Sequence, residues 1–159
     1  MFCRDVMHTT VQTCHPSDTV ARCASIMAEH DVGFVPVVDA LGRPLGVVTD
    51  RDIVLRVLAE KRTARTHVSS IMSEGVVSCR IEETLESAEE KLAHFQKSRI
   101  VVLDEEGRVS GVISLSDIGQ VEGAARAGEL LRAVSGRETF ESDEVPTVRR
   151  GALQQLDPG

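Results

Sequence analysis

The residues best suited to chemistry form a short string that occurs twice in the chain. A glycine precedes two apolar residues, a hydroxyl residue and, three positions later, an aspartate: Gly46, Thr49 and Asp52, then Gly111, Ser114 and Asp117. The glycine lets another group approach the backbone closely. An aspartate in the first turn of a helix is expected to be ionised and can accept hydrogen bonds from the two hydroxyls of a ribose. Because a helix N-terminus also attracts phosphate oxygens, the string indicates a nucleotide site.

The same spacing also has a purely structural interpretation. Thr49 with Asp52, and Ser114 with Asp117, match the capping box, in which the acidic side chain satisfies an amide at the helix start. Glu or Gln usually fills the acidic position, whereas both copies here have Asp, whose shorter side chain keeps its oxygens near the helix end. Two copies in register favour ligand binding, and capping alone stays open as the alternative.

The two strings belong to an internal duplication. An ungapped offset of 65 residues aligns Met7 with Met72, Cys14 with Cys79 and Thr19 with Thr84. A unit of this length present only twice is typical of two pseudo-symmetric halves rather than of a solenoid. The boundaries predicted from it are a first repeat at residues 1–61, a linker at 62–67, a second repeat at 68–136 and a polar tail at 137–159.

Hydrophobic periodicity predicts the same elements in each half. A short apolar segment precedes a helix, a hairpin with a glycine-bearing turn, and a second helix. The fold class is therefore α/β (α+β), with two tandem βαββα repeats packed with pseudo-twofold symmetry. In the first half these are Val11–Cys14, a helix from a Ser17 or Asp18 cap through Met27, strands at Phe34–Asp39 and Leu45–Thr49, and a helix at Asp50–Ala59. In the second they are Val76–Cys79, a helix near Glu83–Phe95, strands at Ile100–Asp104 and Val109–Ser114, and a helix interrupted near Gly119 and Gly123 that resumes through Ala124–Val134.

Composition narrows the classes of function. The net charge of −7 and the lack of Trp and Tyr disfavour nucleic acid as a partner, and no apolar run is long enough for a membrane span or signal peptide. The four cysteines have no zinc-ligand spacing, so a reduced, cytoplasmic protein without a metal is expected. Cys14 and Cys79 are interpreted as small buried hydrophobes, the five histidines as surface or capping residues, and Glu82–Glu90 as a solvated helix face.

In this order, these motifs resemble the cystathionine-β-synthase (CBS) type domain pair, or Bateman module. The resemblance extends from about Asp5 to Val121. It rests on the short segments that open the two repeats and end at Met7 and Met72, on the strand Phe34–Asp39 and on the doubled Gly…Thr/Ser-x-x-Asp string. It implies two repeats packed across a pseudo-twofold axis, with two clefts for AMP, ADP, ATP, S-adenosylmethionine or a related ligand.

The resemblance also implies a ligand-binding set. Asp52 and Asp117 would hold ribose, and Thr49 and Ser114 would contact ribose or phosphate. Arg99 would bind phosphate in one cleft, whereas the first repeat has Phe34 at that position, so the clefts should differ in phosphate affinity. Pro36 in the first repeat is replaced by Val101 in the second. Adenine would lie against Val11, Gln12, Val32 and Gly33 in one cleft and Val76, Val77, Lys97 and Ser98 in the other, with Val112 completing the set.

The function expected from these features is regulatory sensing of adenosine nucleotides without catalysis or a required cofactor. An exposed apolar set (Val54, Leu55, Leu58, Leu130, Leu131 and Val134) predicts a homodimer, and a regulated protein partner is a further possibility. The alternative is a structural dimerisation module with no physiological ligand. An enzyme is disfavoured because no nucleophile or electrophile accompanies the carboxylates.

Overall fold

One β-hairpin lies at the centre of each repeat, with helices packed against it. The computed structural model describes residues 1–135, so the predicted tail and the last residue of the predicted second repeat lie outside it. The elements, in chain order, are α1 (Cys3–Val6), α2 (Val20–His30), β1 (Phe34–Val38), β2 (Pro44–Thr49), α3 (Asp50–Ile53, continued by a π-helix at Val54–Leu58), a 3₁₀ turn (Val68–Ser70), β3 (Ser78–Arg80), α4 (Leu85–Phe95), β4 (Arg99–Leu103), β5 (Val109–Ser114), α5 (Leu115–Val121) and α6 (Ala124–Val134).

The two hairpins have the same register. β1 pairs antiparallel with β2, which places Phe34 opposite Thr49, and β4 pairs antiparallel with β5, which places Arg99 opposite Ser114. Each hairpin therefore ends with a hydroxyl residue at the point where the next helix begins.

The apolar segments that open the two repeats pair unequally. β3 pairs parallel with β4, whereas Cys14 forms only an isolated bridge with Val37. In the second repeat the Val101 amide donates to the carbonyl of Val77 at 3.1 Å. The residue equivalent to Val101 in the first repeat is Pro36, which has no N–H to donate. The expected opening strand at Val11–Cys14 is therefore reduced to a single bridge.

Threonines cap the equivalent helices α2 and α4 of the two repeats. The Thr19 hydroxyl accepts a hydrogen bond from the Arg22 amide at 3.2 Å, and Thr84 caps α4 in the same way. The prediction of Ser17 or Asp18 as the cap of α2 was wrong. Asp18 instead accepts from the His15 amide at 2.8 Å and closes the preceding turn.

The start of each repeat crosses to the other repeat. His8 exchanges two backbone hydrogen bonds with Val112 in β5, of 3.0 and 3.1 Å. Ser73 exchanges two with Val47 in β2, of 2.8 and 2.9 Å. The residues before His8 consequently pack with the second repeat, and those before Ser73 pack with the first.

Each repeat has an aliphatic core that the crossing segments complete. Val68 and Ile71 belong to the first core and Cys3 to the second. All four cysteines are free and buried, with Cys14 and Cys79 in equivalent core positions as expected. The hydrogen bond with Cys23, together with burial, raises the pKa of Cys14, so this thiol is held neutral.

Helix α6 has no counterpart in the first repeat. It packs on α4 and α5 and buries Leu130, so the prediction of Leu130 on an exposed face is wrong. Arg126 Nε donates to Glu89 Oε2 at 2.8 Å, and Glu89 is only 6% exposed, so the glutamate-rich face is not wholly solvated. The interruption of the helix falls at Glu122 and Gly123 rather than at Gly119. None of the helices within residues 1–135 is long and apolar enough to cross a membrane.

Candidate functional site

Both strand–helix junctions form complete capping boxes. At the first, the Thr49 amide donates to Asp52 Oδ2 at 2.9 Å and the Asp52 amide donates to the Thr49 hydroxyl at 3.2 Å. At the second, the Ser114 amide donates to Asp117 Oδ2 at 2.7 Å, and the Ser114 hydroxyl bonds the same oxygen at 2.6 Å. The capping interpretation is thus correct for one carboxylate oxygen of each aspartate.

The second oxygen of each aspartate has a different neighbour in each repeat. His8 Nε2 lies 2.8 Å from Asp117 Oδ1. Arg56 Nη2 lies 3.5 Å from Asp52 Oδ1. Both neighbours line the same cleft as the aspartate that they contact.

Asp117 is kept ionised by its surroundings. Burial by itself would raise the pKa of this carboxyl, whose side chain is about 10% exposed. Hydrogen bonds from the Ser114 hydroxyl and amide, and the contact with His8, outweigh that effect and hold the pKa below its usual range.

The glycine of each string makes room for a crossing segment. A Cβ on Gly46 would lie 2.8 Å from the Ser73 carbonyl oxygen, and one on Gly111 would lie 2.9 Å from Met7 Cβ. The close approach expected at these glycines is therefore made by the chain itself. The crossing in turn brings His8 and Ser73 to the clefts.

The Asp117 cleft is built from both repeats and has a volume of about 380 Å³. The Asp117 carboxylate and the Ser114 hydroxyl come from the second repeat, whereas the first repeat supplies most of the apolar lining, namely Val11, Val32 and Phe34. The residues predicted from the sequence that it brings together are Val11, Gln12, Val32, Gly33, Val112, Ser114 and Asp117.

The Asp52 cleft has the reciprocal composition and a volume of about 320 Å³. Here the first repeat supplies the strand–helix junction and the second supplies the opposite wall. It brings together the predicted residues Thr49, Asp52, Val76, Val77, Lys97 and Ser98. Both volumes fall within the range typical of small-molecule sites.

Phe34 and Arg99 lie between the two clefts and line both. The Arg99 guanidinium carbon is 6.0 Å from the centre of the Phe34 ring. The expectation that Arg99 serves one cleft and Phe34 the other is therefore wrong, because the crossed packing places both side chains on the shared wall. Within residues 1–135, Arg99 forms no ion pair with a glutamate.

His8, Arg51 and Arg56 are among the cleft residues that were not predicted from the sequence. His8 lies at the surface, as expected of the histidines, with its side chain 74% exposed, and it also contacts the Asp117 carboxylate. The offset of 65 residues aligns His8 with Ser73, which lines the other cleft. This alignment was the sequence feature that could have identified His8 as a cleft residue. No group of His, Cys, Asp and Glu side chains in residues 1–135 is arranged to hold a metal ion.

A family model for the CBS domain matches residues 3–59 and again residues 68–121, in step with the internal duplication. The chain belongs to the CBS domain family. CBS domain pairs are regulatory ligand-binding modules, and stand-alone CBS domain proteins are generally regulatory. The predicted family and fold class are thereby confirmed.

Known CBS domain proteins resemble this pair in both sequence and structure. The CBS domain-containing protein YhcV of Bacillus subtilis is 39% identical over 115 residues, which cover 72% of this chain and 81% of that protein. The cytosolic domain of the Mg²⁺ channel MgtE, solved in complex with ATP, matches with a TM-score of 0.67 at 25% identity, over 76% of this chain and 48% of that one. The CBS domain pair of protein MJ0100, in complex with 5′-methylthioadenosine and S-adenosyl-L-methionine, matches with a TM-score of 0.69 at 24% identity, over 77% of this chain and 100% of that one.

Proposed function

We propose that this CBS domain pair is a non-catalytic regulatory module that binds adenosine-type ligands in its two clefts. The observation that carries the proposal is the composition of each cleft. A carboxylate fixed at a strand–helix junction of one repeat faces an apolar wall from the other repeat. A ribose diol can donate to the carboxylate while the base packs against the apolar wall. The ATP complex of the MgtE cytosolic domain supports this choice of ligand.

Because each cleft spans both repeats, an occupied cleft links them. A ligand in either site contacts side chains of both halves at once, so occupancy favours one arrangement of the pair. A regulated partner that contacts both repeats would sense that arrangement. This is the route by which we propose that ligand binding is transmitted.

Ligand binding is tested by thermal unfolding of the full chain with adenosine, AMP, ADP, ATP and S-adenosylmethionine. A ligand at about 100 times its dissociation constant should stabilise the fold by about 2.7 kcal/mol. Asp117→Asn and Asp52→Asn should each weaken binding at one cleft. Their matched control is Asp5→Asn, because Asp5 accepts from the Phe2 amide at the start of α1 and lines neither cleft. An unchanged melting temperature with every ligand would leave the structural dimerisation module as the better account.

We further propose that the module is a homodimer. Val54, Leu55 and Leu58 are 51%, 46% and 66% exposed on the π-helical segment of the first repeat. An apolar patch of this kind is normally covered by a partner. Leu55→Glu should lower the mass measured by light scattering to that of a monomer. The control is Gln120→Glu, which is exposed at the equivalent position of the second repeat. A wild-type chain that is already monomeric at micromolar concentration would refute the dimer.

A further inference from the structure

The two clefts carry different sets of charged side chains. Four basic residues line the Asp52 cleft, namely Arg51, Arg56, Lys97 and Arg99, against the carboxylates Asp52 and Glu74. In the Asp117 cleft, Arg99 and His8 stand against the carboxylates Asp31 and Asp117. Since Arg99 is shared by both clefts, the difference between them comes from the other residues.

Two of the basic residues occupy positions that are neutral in the other repeat. The offset of 65 residues aligns Lys97 with Val32 and Arg51 with Ser116, and all four side chains line a cleft. The same element therefore presents a cation to the Asp52 cleft and an uncharged side chain to the Asp117 cleft. The charge difference is built into equivalent places of one fold.

An acidic residue reinforces this difference from the other side. Asp31 ends α2 in the left-handed conformation, with φ of 52°, and lines the Asp117 cleft. Its equivalent is Gln96, which ends α4 with φ of 51°. The backbone geometry is the same at both positions, but only the Asp117 cleft has a carboxylate among its lining residues there.

The cations of the Asp52 cleft differ in how firmly they are already bound. Arg56 is engaged, because its Nη1 donates to the Ile71 carbonyl at 2.7 Å and to the Ser73 hydroxyl at 3.1 Å. The side chains of Arg51, Lys97 and Arg99 are exposed and make no hydrogen bond or ion pair with any residue in 1–135. Arg51 also lies in the first turn of α3, where the helix dipole disfavours a cation. An anionic ligand group in the cleft would give these three side chains a partner of opposite charge.

We infer that the clefts divide adenosine ligands by phosphate content, which rests on the function proposed above. The Asp52 cleft takes an adenosine ligand with a chain of two or three phosphates, whose charge Arg51, Lys97 and Arg99 neutralise. The Asp117 cleft takes a nucleoside without a phosphate chain, either uncharged or cationic, because its carboxylates outnumber its permanent cations. The chain would therefore compare a nucleoside polyphosphate with an uncharged or cationic nucleoside.

The test exchanges the charges between equivalent positions of the full chain. The double variant Arg51→Ser and Lys97→Val gives the Asp52 cleft the residues of its counterpart. Calorimetry should show ATP affinity reduced by about tenfold or more, since two charge-assisted contacts are lost, with adenosine affinity unchanged. The reciprocal variant, Val32→Lys with Ser116→Arg, should create a second ATP site at the Asp117 cleft. Asp52→Asn and Asp117→Asn assign each binding event to its cleft.

The outcomes separate this inference from the function on which it rests. Equal losses of ATP and adenosine affinity in the first double variant, or no loss of ATP affinity, would overturn the division by phosphate content. Two equivalent ATP sites in the wild-type chain would do the same. If neither adenosine nor ATP bound the wild-type chain, the proposed function itself would fail. Circular dichroism of each variant, matching that of the wild type, establishes that a lost affinity does not reflect unfolding.

Discussion

At the scale of single residues, the two carboxylate oxygens of Asp52, and likewise of Asp117, have different partners. One oxygen caps a helix, and the other contacts a side chain that lines the cleft. Oδ2 closes the capping box in both. Oδ1 is contacted by His8 in one case and Arg56 in the other. Capping and ligand binding are thus compatible functions of one side chain, so a substitution here affects both stability and the cleft.

Asp117→Asn should destabilise the protein more at pH 7 than in acid. The folded protein holds the pKa of Asp117 below that of an exposed aspartate, about 3.9. The stabilisation from its ionised form is therefore complete above the unfolded pKa and is lost as the pH falls through the folded pKa.

Urea unfolding across a pH series measures this dependence. The difference in unfolding free energy between wild type and Asp117→Asn should be about 0.5–2 kcal/mol at neutral pH, the usual loss for a helix cap. The difference should narrow as the pH falls below about 4. In a Ser114→Ala background, which lacks one hydrogen bond to the carboxylate, the effect of Asp117→Asn on the unfolding free energy should be smaller. A difference that grew in acid would contradict this account of Asp117.

At the scale of elements, each crossing segment packs so closely on a hairpin that the position beneath it must be a glycine. The Ser73 carbonyl and the Met72 side chain lie against Gly46, and Met7 lies against Gly111. A side chain at either glycine would push the segment away from the strand and move His8 or Ser73 out of its cleft. Gly128 in α6 has open space instead, with nothing within 4 Å of an added Cβ.

Alanine substitutions should therefore have opposite effects at Gly46 and Gly128. Gly46→Ala is expected to lower the free energy of unfolding by about 1–3 kcal/mol, since the carbonyl it meets is backbone and cannot rotate away. Gly128→Ala is expected to raise it by about 0.5–1 kcal/mol, because alanine restricts the unfolded chain and favours the helix interior. Chemical denaturation of both variants checks the pair. Equal effects would show that the strand and the crossing segment are not tightly packed.

The elements were largely predictable from the sequence, whereas the composition of the clefts was not. Helices and strands follow local periodicity, so those of the two repeats were predicted within a few residues of the observed bounds, whereas the short α1 was not predicted. The pairing of His8 with Val112 joins distant parts of the chain and leaves no local pattern. Without this crossing, Arg99 and Phe34 were assigned to separate clefts. Pro36 is visible in the sequence as a difference between the repeats. Its effect on the pairing of the opening strand became clear only from the hydrogen bond between Val101 and the Val77 carbonyl in the second repeat.

At the scale of the whole molecule, the two repeats are completed by each other. The first core includes Val68 and Ile71, which follow the predicted linker, and the second includes Cys3. Neither predicted repeat contains all of its own core. We therefore expect the two halves to fold as one cooperative unit.

Cutting the chain after residue 61 should yield fragments that are unfolded separately and fold when mixed. Residues 1–61 lack Val68 and Ile71, and the remainder lacks Cys3 and the strand partner His8. Circular dichroism of each fragment and of their mixture measures the outcome. In the intact chain, Ile71→Ala should cost about 2–5 kcal/mol, although the residue lies outside the first repeat. Native-like helix content in either isolated fragment would show that the repeats are independent.

The crossing of Met1–His8 also sets an order of events during protein synthesis. The ribosome releases this segment well before its backbone partners, which include Glu83 and Val112. The first core becomes complete once Ile71 has emerged, while Met1–His8 still has nothing to pair with. Because non-local pairing is slow and unpaired apolar segments are prone to aggregation, a chaperone that holds nascent chains would have access to this segment until Val112 has emerged.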